Sequence, residues 1–111
     1  MAREQFQNLT EPMYYILLAL MQQRCGVDIM EEVIKISKGR VKVGPGTLYA
    51  LLGKFEKENF IRETALEGRK RSYIITEKGT DILKQEYERL LVLTRDGEMF
   101  LGGSFYDNKK P

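Results

Sequence analysis

The chain has 111 residues, 42% hydrophobic and 31% charged, a composition typical of one small folded domain rather than of a disordered or membrane-embedded chain. It contains one cysteine and no histidine, which excludes an internal disulfide and a cysteine-built zinc site and removes the commonest general base and metal ligand of enzymes. No apolar run is as long as a membrane span and no secretory signal is evident, so the sequence predicts a cytoplasmic protein without a metal or cofactor.

The small net charge of +2 is distributed unevenly along the chain. Between Lys38 and Arg71 there are nine basic and four acidic residues, whereas acidic residues are in excess elsewhere. A basic region on a slightly acidic body indicates a polyanionic partner. The alternative interpretation is an ordinary solvated surface.

The first predicted helix begins after Thr10, a good N-cap, with Glu11 and Pro12 in its first turn. No residue from Met13 to Met21 is charged, so this helix needs burial on more than one side. In a domain of this size, a second subunit would supply the additional cover.

A second helix is predicted from Val27 to about Ile36, after a turn at residues 22–26. Its apolar residues are expected to face the core: Val27, Ile29, Met30, Val33, Ile34 and Ile36. Cys25 is interpreted as a small buried residue rather than a reactive thiol. A turn containing glycine follows at residues 37–40, and residues 41–43 are a candidate for a very short strand.

The third predicted helix begins at Pro45, which suits a first helical turn, and ends near Asn59, a plausible left-handed stop. One face is an apolar stripe made of Leu48, Leu51, Leu52 and Phe55. The opposite face carries small residues edged with hydroxyl and ammonium groups: Gly46, Thr47, Tyr49, Ala50, Gly53, Lys54 and Lys57. Two helices joined by a short turn, the second with such an outer face, describe a helix-turn-helix.

A β-hairpin is predicted next, from the β-prone runs at residues 61–65 and 72–75. Its tip, residues 66–71, contains Gly68 and the three consecutive cations Arg69, Lys70 and Arg71. A hairpin directly after a recognition-type helix is the wing of a winged helix, and cations at its tip suit a phosphate backbone or a minor groove. The alternative is that these cations only form an ordinary solvent-exposed loop tip.

The last predicted helix is capped by Thr76 and runs to about Arg95, with Gly97 as its stop. Its apolar surface is wider than one stripe, which favours a dimer contact over an ordinary core helix. The predicted regions are thus a winged helix-turn-helix at residues 1–76, a C-terminal dimerisation helix at 77–96 and a tail at 97–111, all within one domain.

Five short motifs, in this order, resemble the PadR family of bacterial transcriptional regulators, in particular its shorter subfamily. They are Gly26-Val27-Asp28-Ile29, Gly46-Thr47-Leu48-Tyr49, the leucine-rich run 51–61, Arg69-Lys70-Arg71-Ser72-Tyr73 and Ile75-Thr76-Glu77-Lys78-Gly79. The resemblance extends over about residues 9–93. It implies an α+β, mainly α, winged helix-turn-helix homodimer that represses transcription and is released by small, usually aromatic or cationic, molecules. The chain departs from the family at Val27 and in having no tryptophan for stacking a ligand.

The resulting functional hypothesis is a sequence-specific repressor on a pseudo-palindromic double-stranded DNA operator. Thr47, Tyr49 and Lys54 are candidates for base-edge or nearby phosphate contacts, although Tyr49 could equally be a packing residue. The other predicted DNA contacts are Arg40, Lys42, Lys57, Arg69, Lys70 and Arg71. The predicted dimer or ligand interface consists of Tyr14, Tyr15, Leu18, Leu83, Tyr87, Leu90 and Leu91.

Two other function classes are weighed against this hypothesis. A winged helix can also serve as a protein-interaction module whose basic face docks an acidic partner. An enzyme is disfavoured, because the sequence contains no nucleophile–base pair, metal cluster or phosphate-binding loop. Strong salt dependence of duplex binding would favour DNA over the protein partner.

Overall fold

The computed structural model of the protein describes residues 8–68 and 70–102, apart from the side chains of Ala65 and Leu66. Within them, four helices and three short strands follow one another along the chain: α1 (Glu11–Ala19), β1 (Arg24–Cys25), α2 (Gly26–Ile36), α3 (Pro45–Lys57), β2 (Ile61–Glu67), β3 (Lys70–Ile75) and α4 (Glu77–Leu101). The predicted mainly helical α+β class with a helix-turn-helix and a wing is confirmed. No helix in these residues is long and apolar enough to cross a bilayer.

The predicted helix signals are present at the helix ends. Thr10 and Thr76 each accept a hydrogen bond from the backbone N–H three residues later, at 3.4 and 3.0 Å. Pro45 stands in the first turn of α3. Asn59 adopts a φ of 65° just after α3, as predicted for a left-handed stop. These ends depend on neighbouring residues, which is why the sequence predicts them well.

The core is formed mainly by α1, α2 and α3, and the apolar stripe of α3 faces it as predicted. The largest fully buried side chains of the core are Ile16, Leu17, Leu20, Ile29, Val33, Leu48, Leu52, Phe55 and Phe60. The prediction that Val27 and Ile34 face the core is wrong, because they are 55% and 39% exposed. The buried stripe of α2 passes through Gly26 and Val33, and the next residue in each case is rotated by about 100° toward solvent.

The three-stranded sheet has the order β1-β3-β2, with both pairings antiparallel. The sequence predicted a turn where β1 lies, since a two-residue strand has no periodicity of its own. Arg24 pairs with Tyr73 and Cys25 with Ser72, so the start of α2 lies beside the wing. Residues 41–43, the candidate short strand, are not in a strand.

The wing strands are longer than predicted and turn tightly. β2 continues to Glu67 and β3 begins at Lys70, so most of the predicted loop pairs as strand. Gly68 adopts a φ of 62° in the turn, a conformation that glycine reaches without strain. The register shifts by one residue at Thr64, which forms a bulge. Arg69 lies outside the described residues.

The prediction that Gly97 ends the last helix is wrong, because α4 continues to Leu101 and is followed by Gly102. A single interior glycine costs about 1 kcal/mol relative to alanine, and good helix formers on both sides tolerate it. The first half of α4 packs on the core through Ile82 and Leu83. The second half exposes apolar side chains: Val92, Leu93, Met99, Phe100 and Leu101. Its role in dimerisation stays a prediction, and residues 103–111 of the predicted tail lie outside the described residues.

Candidate nucleic-acid interface

The outer face of α3 is open, as the sequence predicted. Its exposed residues are Gly46, Thr47, Tyr49, Ala50, Gly53, Lys54 and Lys57. A Cβ added at Gly46 or Gly53 would meet no other atom within 4 Å. Since small residues recur along this face, another molecule can approach the helix backbone closely between its hydroxyl and ammonium groups.

A concavity of about 360 Å³ lies between α3, the start of α2 and the wing. It is lined by Cys25, Gly26, Val27, Tyr49, Lys70, Arg71 and Tyr73. Two cations of the wing and a tyrosine of the recognition-type helix therefore share one surface. α2 begins there without a side-chain cap, and Asp28 in its first turn offsets the positive end of the helix dipole, so the attraction for an anion comes from the two wing cations.

Tyr49 joins α3 to α2 across this concavity. The residue is 51% exposed, yet its hydroxyl would be 2.2 Å from a Cβ added at Gly26. Gly26 is therefore the residue that leaves room for the tyrosine over the start of α2. Both roles considered for Tyr49, contact with DNA and packing, are compatible with this position.

Gly26→Ala is expected to displace Tyr49 while leaving the protein folded. The blocking atom is the far end of a half-exposed side chain, which can rotate away, so the free energy of unfolding should change by less than about 1 kcal/mol. Binding to a DNA duplex, the predicted partner, should weaken severalfold, as measured by mobility shift beside a thermal unfolding curve. In a Tyr49→Ala background the same change should have no further effect on binding; an undiminished additional effect there would contradict this explanation.

The structure places the other predicted DNA contacts in two groups. Lys42, Lys54 and Lys57 are exposed on α3 or just before it. Arg40 instead reaches back to α1: its Nη1 donates to Glu11 Oε2 at 2.8 Å and its Nη2 donates to the Tyr15 hydroxyl at 2.8 Å. The hydrogen bond to Glu11 and then the electrostatic interaction with Tyr15 raise the pKa of Arg40 above its ordinary value.

The sequence profile of the PadR-like family of transcriptional regulators matches residues 16–85, more than half of the chain. The protein belongs to the PadR-like family. It is thus a member of a DNA-binding, non-enzymatic family of transcriptional regulators. No curated protein matches the chain.

Solved structures with the same fold include a transcriptional regulator and a PadR-like transcription factor. A transcriptional regulator from Clostridium thermocellum is 21% identical, with 82% of this chain and 89% of that one covered and a TM-score of 0.68. RosR from H. salinarum is 25% identical, with 78% and 77% covered and a TM-score of 0.66. A PadR-like transcription factor from Bacteroides fragilis is 24% identical, with 78% and 85% covered and a TM-score of 0.66.

A second concavity of this PadR-like protein, about 300 Å³, lies between α1 and α4. It is lined by Leu9, Thr10, Glu11, Tyr14, Tyr15, Glu86, Arg89 and Leu90. Three residues of the predicted dimer or ligand interface meet here: Tyr14, Tyr15 and Leu90. Leu18, Leu83, Tyr87 and Leu91 are not among the lining residues, and Leu83 belongs to the core.

Glu86 is a residue of this second concavity that the sequence reasoning missed. Its carboxylate is buried and accepts hydrogen bonds from Nε and Nη2 of Arg89, at 3.2 and 2.5 Å. A glutamate one helical turn from an arginine indicates an ion pair, but such spacing is common on exposed faces too. The burial of the Glu86 carboxylate distinguishes this pair, and it depends on the packing of α1 against α4.

We expect Tyr14 to make the stability of the regulator sensitive to alkaline pH. Burial, then the neighbouring Tyr87, Tyr15 and Glu86, raise the pKa of Tyr14 above its ordinary value of about 10. Above that pH the unfolded chain releases this proton while the folded protein retains it, so stability is lost as the pH rises through the raised pKa. Tyr14→Phe should therefore lose less stability than wild type in urea unfolding between about pH 9.5 and 11. Equal losses would contradict this linkage.

Proposed function

We propose that the protein is a homodimeric repressor that binds a pseudo-palindromic operator and is released from it by a small aromatic or cationic molecule. The observation that carries the proposal is the surface on which the open face of α3, the start of α2 and the basic wing strand β3 adjoin one concavity. Its shape and charge suit a DNA duplex, and its position in the winged helix suits operator binding. We place the protein in the bacterial cytoplasm, on the nucleoid when it is bound to DNA.

In this proposal the outer face of α3 enters the major groove. Thr47, Tyr49 and Lys54 contact base edges or nearby phosphates, while Lys42 and Lys57 bind phosphates. The described cations of the wing, Lys70 and Arg71, reach the flanking backbone or minor groove, and Arg69 stays a predicted DNA contact. Two copies of α3 about 34 Å apart then match successive major grooves on one side of the duplex.

The dimer contact is assigned to α4, together with α1. The second half of α4 presents Val92, Leu93, Met99, Phe100 and Leu101 to solvent, with Tyr87 preceding them at 52% exposure. A second copy would bury this row of apolar side chains and so fix the spacing of the two α3 helices. Leu93→Asp should shift the sedimentation of the protein toward monomer, whereas Lys84→Asp, at an exposed position about 180° around the same helix from Leu93, should not. If the Leu93→Asp variant is still a dimer, the dimer contact does not lie on this part of α4.

The inducer site is assigned to the concavity between α1 and α4. The rings of Tyr14 and Tyr15 and the side chain of Leu90 offer apolar and π surfaces. The carboxylates of Glu11 and Glu86 line the same concavity together with Arg89, which pairs with Glu86. Such a lining suits an aromatic cation. A ligand there weakens operator binding only if it binds the DNA-free arrangement more tightly than the DNA-bound one.

The test is a mobility shift on DNA from immediately upstream of the protein's own gene, at two salt concentrations and with excess nonspecific competitor. A competitor-resistant shift that weakens with salt supports an operator-binding regulator. A shift that disappears with competitor would contradict binding at that site and direct attention to an acidic protein partner. Operator affinity that stays constant across a panel of aromatic and cationic compounds would contradict release by a ligand.

A further inference from the structure

Arg40 joins two parts of the molecule, α1 and the segment before α3, through one guanidinium group. Besides its hydrogen bonds to Glu11 and Tyr15, the guanidinium carbon lies 5.9 Å from the centroid of the Tyr15 ring. Glu11 and Tyr15 belong to the first two turns of α1, whereas Arg40 belongs to the segment between α2 and α3. The contact therefore ties the entry of the recognition-type helix to the N-terminal helix.

The segment that carries Arg40 is itself held closely. Ser37 Oγ accepts a hydrogen bond from the Val41 N–H at 3.0 Å, and the side chains of Val41 and Val43 are buried. Gly44, the next residue, is the N-cap of α3. A displacement of Arg40 is therefore transmitted over a few ordered residues to the first turn of α3.

The same two partners of Arg40 form part of the wall of the concavity between α1 and α4. A carboxylate and the face of a tyrosine ring are the groups that a cationic ligand seeks. Both are engaged by the guanidinium. A cation that enters at this wall therefore competes with Arg40 for Glu11 and Tyr15.

A contribution to folding stability does not explain why Arg40 contacts Glu11 and Tyr15. The side chains of Arg40 and Glu11 are 59% and 52% exposed, and ion pairs so accessible to water contribute little to folding. The contact instead fixes an orientation, because two hydrogen bonds from one planar guanidinium define where the segment before α3 lies relative to α1.

We infer that Arg40 is a positioning residue that holds α3 in its DNA-binding pose, and that a cation at the α1–α4 concavity weakens DNA binding by taking Glu11 and Tyr15 from it. This inference rests on the proposed function and names the route by which the inducer site reaches the DNA surface. Because binding free energies are reciprocal, operator binding must weaken binding of the cation by the same factor.

A direct phosphate contact by Arg40, as the sequence predicted, leads to the opposite result for one substitution. If Arg40 binds a phosphate, Glu11→Gln frees the guanidinium and removes a negative charge, and both changes strengthen DNA binding. If Arg40 positions α3, Glu11→Gln loosens the tie and weakens DNA binding. The sign of the change therefore separates the two roles.

The experiment measures operator affinity for wild type, Glu11→Gln and the control Glu31→Gln, which removes the same charge from an exposed position on α2. We expect about a fivefold loss for Glu11→Gln and no loss for Glu31→Gln. Tyr15→Phe, which keeps the ring and deletes the accepting hydroxyl, should fall between them. Thermal unfolding of all four proteins shows whether they are equally folded. Affinity of Glu11→Gln equal to or above that of Glu31→Gln would overturn the inference.

A second measurement tests the competition itself, with benzyltrimethylammonium as the probe. Calorimetric titration of the DNA-free protein should show tighter binding to Arg40→Met than to wild type, because the competing guanidinium is gone. The operator affinity of Arg40→Met should no longer respond to the probe. Equal affinity for the two proteins, or no binding to either, would overturn the role of the cation.

The failures can be told apart. If wild type gives no competitor-resistant shift, the proposed function fails and this inference fails with it. If wild type binds the operator and Glu11→Gln behaves like Glu31→Gln, the inference about Arg40 fails while the proposed function stands.

Discussion

Gly79→Ala should destabilise the protein by about 3 kcal/mol or more, a large part of the stability of a small domain. Gly79 lies in the first turn of α4, where a Cβ would be 2.1 Å from the carbonyl oxygen of Phe60 and 2.8 Å from Cγ1 of Ile75. The carbonyl is backbone and already accepts the N–H of Thr76 at 2.9 Å, so it cannot rotate away as a side chain would. The start of α4 must therefore separate from the start of β2.

Gly97→Ala is the matched control for this substitution, on the same helix. A Cβ at Gly97 would meet nothing within 4 Å, and alanine is the better helix former by about 1 kcal/mol. Urea unfolding followed by circular dichroism should therefore show opposite signs, a large loss for Gly79→Ala and a small gain for Gly97→Ala. Wild-type stability in Gly79→Ala would mean that α4 can shift away from β2 at little cost.

The helix ends show which parts of the fold can be predicted from the sequence. The caps Thr10 and Thr76 and the apolar stripe of α3 were predicted because they depend on residues within a few positions of each other. Gly97 was misread as a helix stop, since local signals favoured it while the good helix formers around it carry α4 onward. Local patterns thus predicted which elements form, but less well where one of them ends.

The candidate DNA surface was predicted only in its parts. The exposed face of α3 follows from helical periodicity, and the cations of the wing follow from their place in a hairpin. The concavity that joins them does not, because it exists only once β1 pairs with β3 through Cys25 and Ser72. The tie from Arg40 to Glu11 was missed for the same reason: it spans 29 positions of the chain. Contacts between distant segments require the packed structure.

Lys70→Gln together with Arg71→Gln should weaken operator binding more than any single surface substitution proposed above. Both cations are exposed and line the concavity beside Tyr49, and glutamine keeps most of the side-chain stem while removing the charge. If each cation neutralises one phosphate, the slope of log affinity against log salt should decrease in magnitude by about 1.8 per protomer. Mobility shifts or anisotropy at several salt concentrations measure that slope.

The control for the wing variant is Lys35→Gln together with Lys84→Gln, which removes two positive charges from exposed positions on α2 and α4. The net charge changes equally in both variants, so a difference in salt slope reports where the cations lie relative to the phosphates rather than how many the protein carries. We expect the control to keep nearly the wild-type slope. Equal slopes for the two variants would mean that the wing lies away from the DNA, and that the long-range field of the protein accounts for binding without a phosphate contact at the concavity.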